Sequence, residues 1–350
     1  MSAAHAKELQ QYNGRSINMS DFWHGKRVLV TGAAGFIGSH LVEALLEQGA
    51  AVRAFVRYTS RADTGLLRLL SAEMQESIDV VAGDLRDPHA VEQAVAGCEY
   101  VFHLGALIAI PYSYVHPVET ASTNVTGTIN VLTACRTHGV KRLIHTSTSE
   151  VYGTALRIPI DESHPLQPQS PYSASKIGAD ALVESYYRSF DLPAIIVRPF
   201  NTYGPRQSAR AVIPTIITQA LTQPVVRLGN LDARRDFTYA RDTVSGFLAA
   251  AVADESSLGR AYNLGMGKDI SIGELANEVI RQVNPNISVE IDKARLRPTK
   301  SEVMRLISDN RLAKEALGWE PKYTFATGLG ETIAWIERHL HLFRVGKYEV

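Results

Sequence analysis

Two hydrophobic patterns alternate along residues 25–200 of the chain. Short runs of apolar and β-branched residues predict buried strands, and between these runs apolar residues recur at helical spacing. Strands that alternate with helices form parallel sheets, so this order predicts an α/β fold with helices on both faces of the sheet. The predicted strands cover 26–31, 51–57, 78–83, 100–104, 143–148 and 194–197. Two of the predicted helices cover 117–139 and 171–190.

Three glycines directly follow the first predicted strand. Gly32, Gly35 and Gly38 recur at every third position, and Phe36 and Ile37 open the helical pattern that comes next. Glycine lets the backbone approach a pyrophosphate, and the N-terminus of a helix faces the negative charge of that group. The strand, the glycines and the helix together predict a dinucleotide site in a Rossmann-type, doubly wound parallel sheet.

The ends of the next strands predict further contacts with a dinucleotide. Arg57 ends the second strand, where an NAD-specific site commonly has an acidic residue, so the sequence favours NADP over NAD. Asp84 and Leu85 follow the third strand, at the expected adenine edge. Leu104 and Ala106 follow the fourth strand, beside the expected ribose and nicotinamide.

Beyond residue 200 the alternation gives way to segments rich in proline and glycine. We expect a smaller C-terminal lobe over the carboxyl edge of the sheet, where open α/β sheets bind ligands. The predicted organisation is an N-terminal extension over 1–24, a dinucleotide-binding domain over 25–200 and a mainly substrate-binding lobe over 201–350. Some segments of the lobe are expected to return to the core. The start of the extension is expected to be poorly ordered or to lie on the surface.

The candidate catalytic residues lie at the end of the fifth strand and on the helix that follows. Thr148, Ser149 and Glu150 are placed where the strand stops and a pocket can begin. Tyr172 and Lys176 are four residues apart in a segment that opens with a serine N-cap and a proline. This spacing places the phenol and the ammonium on one face of the helix.

A nearby ammonium is expected to favour the phenolate form of Tyr172. Opposite charges about 4 Å apart, at an effective dielectric of about 20, attract by roughly 4 kcal/mol, which corresponds to about three pKa units. We therefore expect Lys176 to lower the pKa of Tyr172, so that the phenol can accept a proton from a substrate hydroxyl. An isolated pair of this kind is common on helix surfaces, and the dinucleotide motif is what favours catalysis.

Composition and charge limit the kinds of partner and the cellular compartment that we expect for the chain. Lysine plus arginine and aspartate plus glutamate number 36 each, so no net charge draws the chain to nucleic acid or to a membrane. No apolar run reaches membrane-spanning length. Cys98 and Cys135 belong to no metal or disulfide motif, which favours buried thiols in the reducing cytoplasm. His103 is expected to be a core histidine and Asn124 a structural residue, so no metal is expected.

With these residues in hand, the chain resembles the extended short-chain dehydrogenase/reductases of the NAD(P)-dependent epimerase/dehydratase family. The resemblance covers nearly all of 26–340. The matching motifs are TGAAGFIG at 31–38, GDLRD at 83–87, HLGA at 103–106, TSTSEVYG at 146–153, YSASK at 172–176 and RPFNTYGP at 198–205. These motifs are highly specific for the family and less specific for the reaction.

Within the family, the chain is most similar to nucleotide-sugar 4,6-dehydratases, including those that act on nucleotide-linked N-acetylglucosamine in legionaminic-acid pathways. The resemblance implies that Tyr172, supported by Lys176 and Thr148, takes the proton of the sugar 4-hydroxyl while hydride leaves C4. It implies that Glu150 takes the C5 proton while the 6-hydroxyl departs as water. Ser149 replaces the aspartate of glucose-type dehydratases and matches GDP-mannose 4,6-dehydratases. The tightly bound NADP or NAD is expected to be regenerated in each turnover.

Three other functions stay open on the sequence. A nucleotide-sugar 4-epimerase needs the tyrosine, lysine and threonine but has no necessary task for Glu150. UDP-glucuronate decarboxylases also carry Ser-Glu at this position, so Glu150 does not separate them from dehydratases. A sensor or scaffold that binds NADP without turnover has no need of Thr148, Tyr172 and Lys176 together.

The expected partner is a nucleotide-diphosphate sugar, whose phosphates need local donors. Asn201, Arg206, Arg235 and Arg305 are the candidate substrate-binding residues, because their segments carry polar groups and arginines suited to bidentate binding. The helices over 117–139 and 171–190 are rich in small and apolar residues on more than one face. They predict a homodimer through a four-helix bundle.

Overall fold

A computed structural model describes residues 19–344 except 297, 299 and 300. Its strands, numbered in chain order, are β1 Arg27–Thr31, β2 Ala51–Arg57, β3 Asp79–Gly83, β4 Tyr100–His103, β5 Arg142–Thr146, β6 Ala194–Pro199, β7 Asn201–Tyr203, β8 Val225–Leu228, β9 Arg234–Arg235, β10 Phe237–Tyr239, β11 Ala261–Leu264, β12 Ile270–Ser271, β13 Ser288–Ile291 and β14 Arg305–Leu306. The α-helices are α1 Met19–Trp23, α2 Phe36–Glu47, α3 Ala72–Ser77, α4 Pro88–Val95, α5 Ile110–Val115, α6 Pro117–Ala121, α7 Gly127–Thr137, α8 Pro171–Phe190, α9 Val212–Thr222, α10 Ala240–Val252, α11 Ile272–Val283, α12 Arg311–Leu317 and α13 Phe325–Arg338.

Seven strands form a central parallel sheet, which confirms the predicted fold class. Their order is β3-β2-β1-β4-β5-β6-β11, and every neighbouring pair is parallel. Successive strand residues face opposite sides. Val30 and Phe102 enter one apolar core, and Leu29 and Val101 enter the core on the other face. All carboxyl ends of the strands therefore meet at one edge, where the predicted site residues follow β1, β4 and β5.

The end of the predicted N-terminal extension belongs to the core. Phe22 and Trp23 of α1 are only 2% and 0% exposed, and both rings pack edge-on against Tyr100 of β4. The boundary predicted at residue 24 is therefore too late, because these two rings bury a large apolar area against the sheet. The rest of the extension, 1–18, lies outside the described residues.

The helical pattern predicted over 117–139 is a continuous helical segment with a change of pitch. A π-helical turn at Ser122–Thr126 joins α6 to α7. Asn124 lies in this turn, and its side chain bonds both the N–H and the carbonyl of Leu107 at 2.8 and 3.0 Å. Its structural role is confirmed, since the amide ties the helix to the segment after β4.

Smaller sheets and a third apolar core make up the C-terminal lobe. These sheets pair β10 with β7, β13 with β8, and β9 with both β12 and β14. The lobe is fixed by buried carboxylates: Asp242 accepts from the backbone N–H groups of Lys322 and Tyr323 at 2.8 and 3.0 Å. The chain also returns to the sheet, because β11 pairs with β6 and Phe247 of α10 enters the first core.

Both cysteines and His103 lie in the core, as the sequence predicted. Cys98 and Cys135 are buried free thiols. His103 is a satisfied core histidine, with Nδ1 2.8 Å from Thr31 Oγ1 and Nε2 3.1 Å from Thr128 Oγ1. Over the described ranges, no helix is long and apolar enough to cross a membrane, and no group of three or more His, Cys, Asp or Glu side chains could hold a metal ion.

Two helical glycines provide a matched test of the close packing at the start of α2. A Cβ on Gly38 would lie 2.2 Å from the carbonyl oxygen of Gly32, whereas a Cβ on Gly330 in α13 would meet nothing within 4 Å. Gly38→Ala is expected to lower the free energy of unfolding by about 1 to 3 kcal/mol, because backbone must move. Gly330→Ala is expected to leave it unchanged or raise it by up to about 1 kcal/mol. Urea titrations measure both, and equal effects would contradict the assigned packing.

Candidate active site

A glycine-rich turn follows β1 at the carboxyl edge of the sheet. Gly32 has φ +69°, and a Cβ there would lie 2.7 Å from the backbone nitrogen of Gly105. The turn after β1 and the turn after β4 therefore touch through their backbones. Side chains at these positions would fill the concave space between the two strands.

The N-terminus of α2 opens directly behind this turn. Gly35 is its N-cap, in an extended conformation, and no side chain caps the helix. Phe36 and Ile37 begin the first turn, where the backbone N–H groups have no preceding helical carbonyl to bond. The glycine turn and the uncapped 12-residue helix fit a pyrophosphate group, which needs close backbone approach and N–H donors.

Residues after β2 and β3 form the outer part of this cleft. The Arg57 side chain is 67% exposed, and its Nη2 lies 3.7 Å from an oxygen of Glu119. Asp84 is paired with Arg86 at 2.6 Å, and this hydrogen bond lowers the pKa of the Asp84 carboxyl to about 2. Leu85 is nearly buried. The carboxylate of Asp84 is thus held locally by an arginine.

Residues after β4 line the inner part of the cleft. The N–H of Leu104 donates to the Thr31 carbonyl at 3.2 Å, and Gly105 donates to Thr31 Oγ1 at 3.1 Å. A Cβ on Gly105 would lie 2.7 Å from a methyl carbon of Leu85. These contacts hold the segment that carries Ala106 against β1, so the predicted cofactor residues share one edge of the sheet.

The turn after β5 carries three candidate catalytic residues. Ser149–Tyr152 is a 3-10 helix, and Thr148 caps it by accepting from the Glu150 N–H at 3.2 Å. Ser149 is buried and Glu150 is half-buried. The sequence STSE thus forms a tight turn at the carboxyl edge, and it places these polar side chains beside helix α8.

Helix α8 begins where the sequence predicted and carries Tyr172 in its first turn. Ser170 and Ser173 form a reciprocal capping box around Pro171, which fixes the start of the helix. Burial raises the pKa of the Tyr172 phenol well above its usual value; a hydrogen bond with Thr148 lowers it, and the charge of Glu150 raises it. The phenol therefore bonds the threonine and lies within the electrostatic influence of the glutamate.

The predicted lowering of the Tyr172 pKa is not found, because burial raises this pKa above its usual value. Lys176 is 3% exposed, and burial lowers its pKa to about 8 although Asp180 raises it. Removal from water disfavours both charged forms, the phenolate and the ammonium. The pKa of Tyr172 is raised because burial, together with the charges of Glu150 and Asp180, outweighs the hydrogen bond with Thr148.

Four charged or polar residues behind Lys176 were not identified as site residues from the sequence. Asp180 Oδ2 accepts from Ser147 Oγ at 2.8 Å and from Arg198 Nη2 at 3.0 Å. His145 Nε2 lies 3.4 Å from Lys176 Nζ and 3.5 Å from Asp180 Oδ1. The available signal was spacing: Asp180 is four residues after Lys176, on the same helix face.

The four candidate substrate residues lie in different surroundings. Arg206 pairs with Glu43 of α2 at 2.8 Å, and Arg305 pairs with Asp269 within the lobe. Both guanidinium groups are thus engaged in structural ion pairs.

The other two candidates, Arg235 and Asn201, have looser partners. The guanidinium of Arg235 donates to the Arg234 carbonyl at 2.9 Å and lies 3.7 Å from Glu302. Asn201 Oδ1 is buried without a hydrogen-bond partner among the described residues, so it offers an open acceptor at the start of β7.

Comparison with known proteins decides the family. A family model described as GDP-mannose 4,6 dehydratase matches residues 29–332. The chain belongs to this family. The match confirms the resemblance to extended short-chain dehydrogenase/reductases that act as nucleotide-sugar dehydratases and epimerases.

Individual relatives in this family differ in activity. The chain is 33% identical to the mouse dTDP-D-glucose 4,6-dehydratase, over 90% of each chain. It is 34% identical to a UDP-glucose 4-epimerase of Mycolicibacterium smegmatis, over 88% of this chain and 97% of the epimerase. A dTDP-glucose 4,6-dehydratase of Streptomyces venezuelae, solved with NAD, superposes with a TM-score of 0.81 at 30% identity, over 91% and 99% of the chains. Dehydratase and epimerase are thus both found at similar distance.

The buried phenol provides the most direct test of this site. Tyr172→Phe is expected to reduce turnover of a nucleotide sugar by about 10²- to 10⁴-fold, because the general acid–base group is lost while the ring remains. Tyr186→Phe on the same helix, which removes only a hydroxyl 3.0 Å from Thr133 Oγ1, is the matched control and is expected to keep full turnover. Steady-state rates of folded protein measure both, and equal rates for the two variants would contradict the assignment.

Proposed function

We propose that the protein is a nucleotide-sugar 4,6-dehydratase that converts a nucleotide-linked hexose, with N-acetylglucosamine as one candidate sugar, to its 4-keto-6-deoxy product. The observation that carries the proposal is the position of Glu150, which follows Thr148 and acts electrostatically on the Tyr172 phenol. A 4-epimerase has no task for a carboxylate beside this phenol. A dehydratase needs one to remove the C5 proton.

The residues present fit a nicotinamide dinucleotide. The turn of Gly32, the N-terminus of α2 at Gly35 and the backbone contact with Gly105 provide the space and donors that a pyrophosphate needs. A bound oxidised dinucleotide supplies a hydride acceptor and a positive charge that favours the phenolate. In this proposal Lys176 would bind its ribose, and Leu104 and Ala106 would pack beside its reactive ring.

Tyr172 performs the first proton transfer in this proposal. Its phenolate oxygen accepts the proton of the sugar 4-hydroxyl as C4 is oxidised, and the Thr148 hydroxyl orients the same oxygen. Burial makes the phenolate costly in the protein alone. Proton transfer therefore depends on the charges that assemble around Tyr172 when the ligands bind.

Glu150 performs the elimination. The 4-keto group acidifies C5, and the Glu150 carboxylate accepts the C5 proton while the C6–O bond breaks. Ser149 or the protonated Glu150 then supplies the proton with which the 6-hydroxyl leaves as water. Return of hydride to C6 and of a proton to C5 completes the 4-keto-6-deoxy sugar. Of the two protons taken up by Tyr172 and Glu150, one leaves with the water and the other enters at C5, so the overall change is the loss of one water.

We also propose that Asn201 and Arg235 contact the nucleotide sugar, since Asn201 Oδ1 is an open buried acceptor and Arg235 is a buried cation of the lobe. Arg206 and Arg305 are weaker candidates because Glu43 and Asp269 bind them at hydrogen-bond distance. The carboxylate near Arg235, that of Glu302, is farther away at 3.7 Å. A homodimer through the 117–137 and 171–190 helices, and a cytoplasmic location, complete the proposal. The exposure of Val118 is consistent with such a surface.

Arg57 provides a test of the proposed preference for NADP. Its guanidinium is mostly exposed and its contact with Glu119 is long, so a 2′-phosphate can compete for it. NADP is expected to bind more tightly than NAD by calorimetry, and Arg57→Ala is expected to remove the difference. Arg68→Ala, which removes an exposed arginine after β2, is the control. Equal affinities in the unchanged protein would contradict the preference.

The reaction itself is tested by product mass and by Glu150→Gln. UDP-, GDP-, CDP- and dTDP-hexoses are incubated with the protein, and a product lighter by one water is expected from one of them. The Glu150→Gln variant is expected to dehydrate the nucleotide sugar about 10²- to 10⁴-fold more slowly than the unchanged protein. Glu184→Gln, at an exposed position on α8, is the matched control. An epimer of unchanged mass, or the loss of carbon dioxide from a uronate, would contradict the dehydratase.

A further inference from the structure

Three charged side chains lie together in the interior behind the catalytic turn. Lys176, Asp180 and Arg198 are 3%, 3% and 6% exposed. Two of them are cations and one is an anion. A buried charge is tolerated when it is paired and hydrogen-bonded, so the position of the Asp180 carboxylate affects the charge of both cations.

The carboxylate of Asp180 is held from two strands. Oδ2 accepts from Ser147, just after β5, and from both Nε and Nη2 of Arg198 on β6, at 3.2 and 3.0 Å. Oδ1 has no hydrogen bond of normal length, and it lies 3.5 Å from His145 Nε2. One oxygen is therefore fixed by the serine and arginine donors, while the other lies beside His145, which in turn lies beside Lys176.

His145 joins the carboxylate to the lysine through one nitrogen. Nε2 lies 3.4 Å from Lys176 Nζ and 3.5 Å from Asp180 Oδ1, while Nδ1 is buried without a hydrogen-bond partner. A neutral ring can either accept at Nε2 from an ammonium or donate from Nε2 to a carboxylate, but it cannot do both. The tautomer of His145 is thus coupled to the charge of Lys176.

The other titratable groups around this cluster do not replace Asp180. His103 on β4 has its ring 5.4 Å from that of His145, and burial holds its pKa well below the usual value, so the ring is neutral. Tyr152 accepts from Arg198 at 3.0 Å, and burial raises its pKa to about 12, so it is neutral. Glu150 lies on the far side, near the Tyr172 phenol.

We propose that Asp180 is a positioning residue of this site, whose buried carboxylate keeps Lys176 charged and whose contact with His145 sets the tautomer of that ring. This inference rests on the proposed function only in assigning Lys176 to the reaction. Asp180 does not touch substrate in the proposal. It acts through Lys176, which would otherwise lose its proton in the dry interior.

The direct test is the pKa of Lys176 in the protein without ligands. Protein labelled with ¹³C at the lysine Cε is titrated by NMR, and Lys176→Met identifies the signal. The pKa is expected near 8 in the unchanged protein. In Asp180→Asn it is expected to fall by about one to three units, because an opposite charge is lost at close range. In ¹⁵N-histidine spectra, the tautomer of His145 is expected to change over the same pH range as Lys176.

Two comparisons separate charge from packing. Asp180→Glu keeps the carboxylate and is expected to keep the pKa of Lys176 above that of Asp180→Asn. Asp242→Asn changes another buried carboxylate, in the lobe, and is expected to leave Lys176 unaltered. An unchanged pKa in folded Asp180→Asn, or equal lowering in the Asn and Glu variants, would overturn the proposal.

A second variant tests the proposal if Asp180→Asn does not fold. That change leaves Arg198 without its carboxylate, so Asp180→Asn is combined with Arg198→Met to remove both charges. The same lowering of the Lys176 pKa is expected in the double variant, and its absence would overturn the proposal. A lowered pKa in a protein that dehydrates no nucleotide sugar would support the role of Asp180 and contradict the proposed function.

Discussion

Helix Pro171–Phe190 brings a phenol, an ammonium and a carboxylate into a region that excludes water. Tyr172, Lys176 and Asp180 recur at four-residue spacing on one face, and that face packs against the ends of β5 and β6. In this environment the charge on each group depends on its neighbours and not on bulk solvent. The chemistry of the site therefore depends on how the strands pair these buried charges.

The parallel sheet makes that pairing possible. All strands end at one edge, so the serine after β5, the arginine of β6 and the glycine turn after β1 converge without long loops. The lobe is attached to the same sheet, because β11 pairs with β6 and Arg206 binds Glu43 of α2. The charged groups at this edge are buried, which preserves the strength of their interactions.

The sheet, the glycine turn and the start of α8 were predictable because each depends on local signals. These signals are the periodicity of hydrophobic residues, the glycines after a strand and the serine before a proline. Each of them determines structure within a few residues of its position. The sign of the pKa shift of Tyr172 was not predictable, since it depends on burial and on Thr148 and Glu150 together. The four-residue spacing predicted only the electrostatic attraction between Tyr172 and Lys176.

The charged residues behind the site and the arginines of the lobe also form contacts that could not be predicted from the sequence. In the sequence, His145 is a single polar residue within a buried strand and gives no sign of a role. The fold places it between Lys176 and Asp180. Arg206 and Arg305 read as candidate phosphate ligands, but their carboxylate partners lie 163 and 36 residues away in the chain. Pairings over such separations are decided by tertiary structure.

The central claim is that one edge of this sheet removes hydrogen from C4 of a sugar and returns it to C6 while water leaves. The most direct measurement uses a nucleotide hexose that carries deuterium at C4 and locates the label in the product by NMR. The account predicts that the deuterium is retained and lies at C6 of a 4-keto-6-deoxy sugar. Deuterium that remains at C4 of an epimer, or of an unchanged hexose, would contradict it.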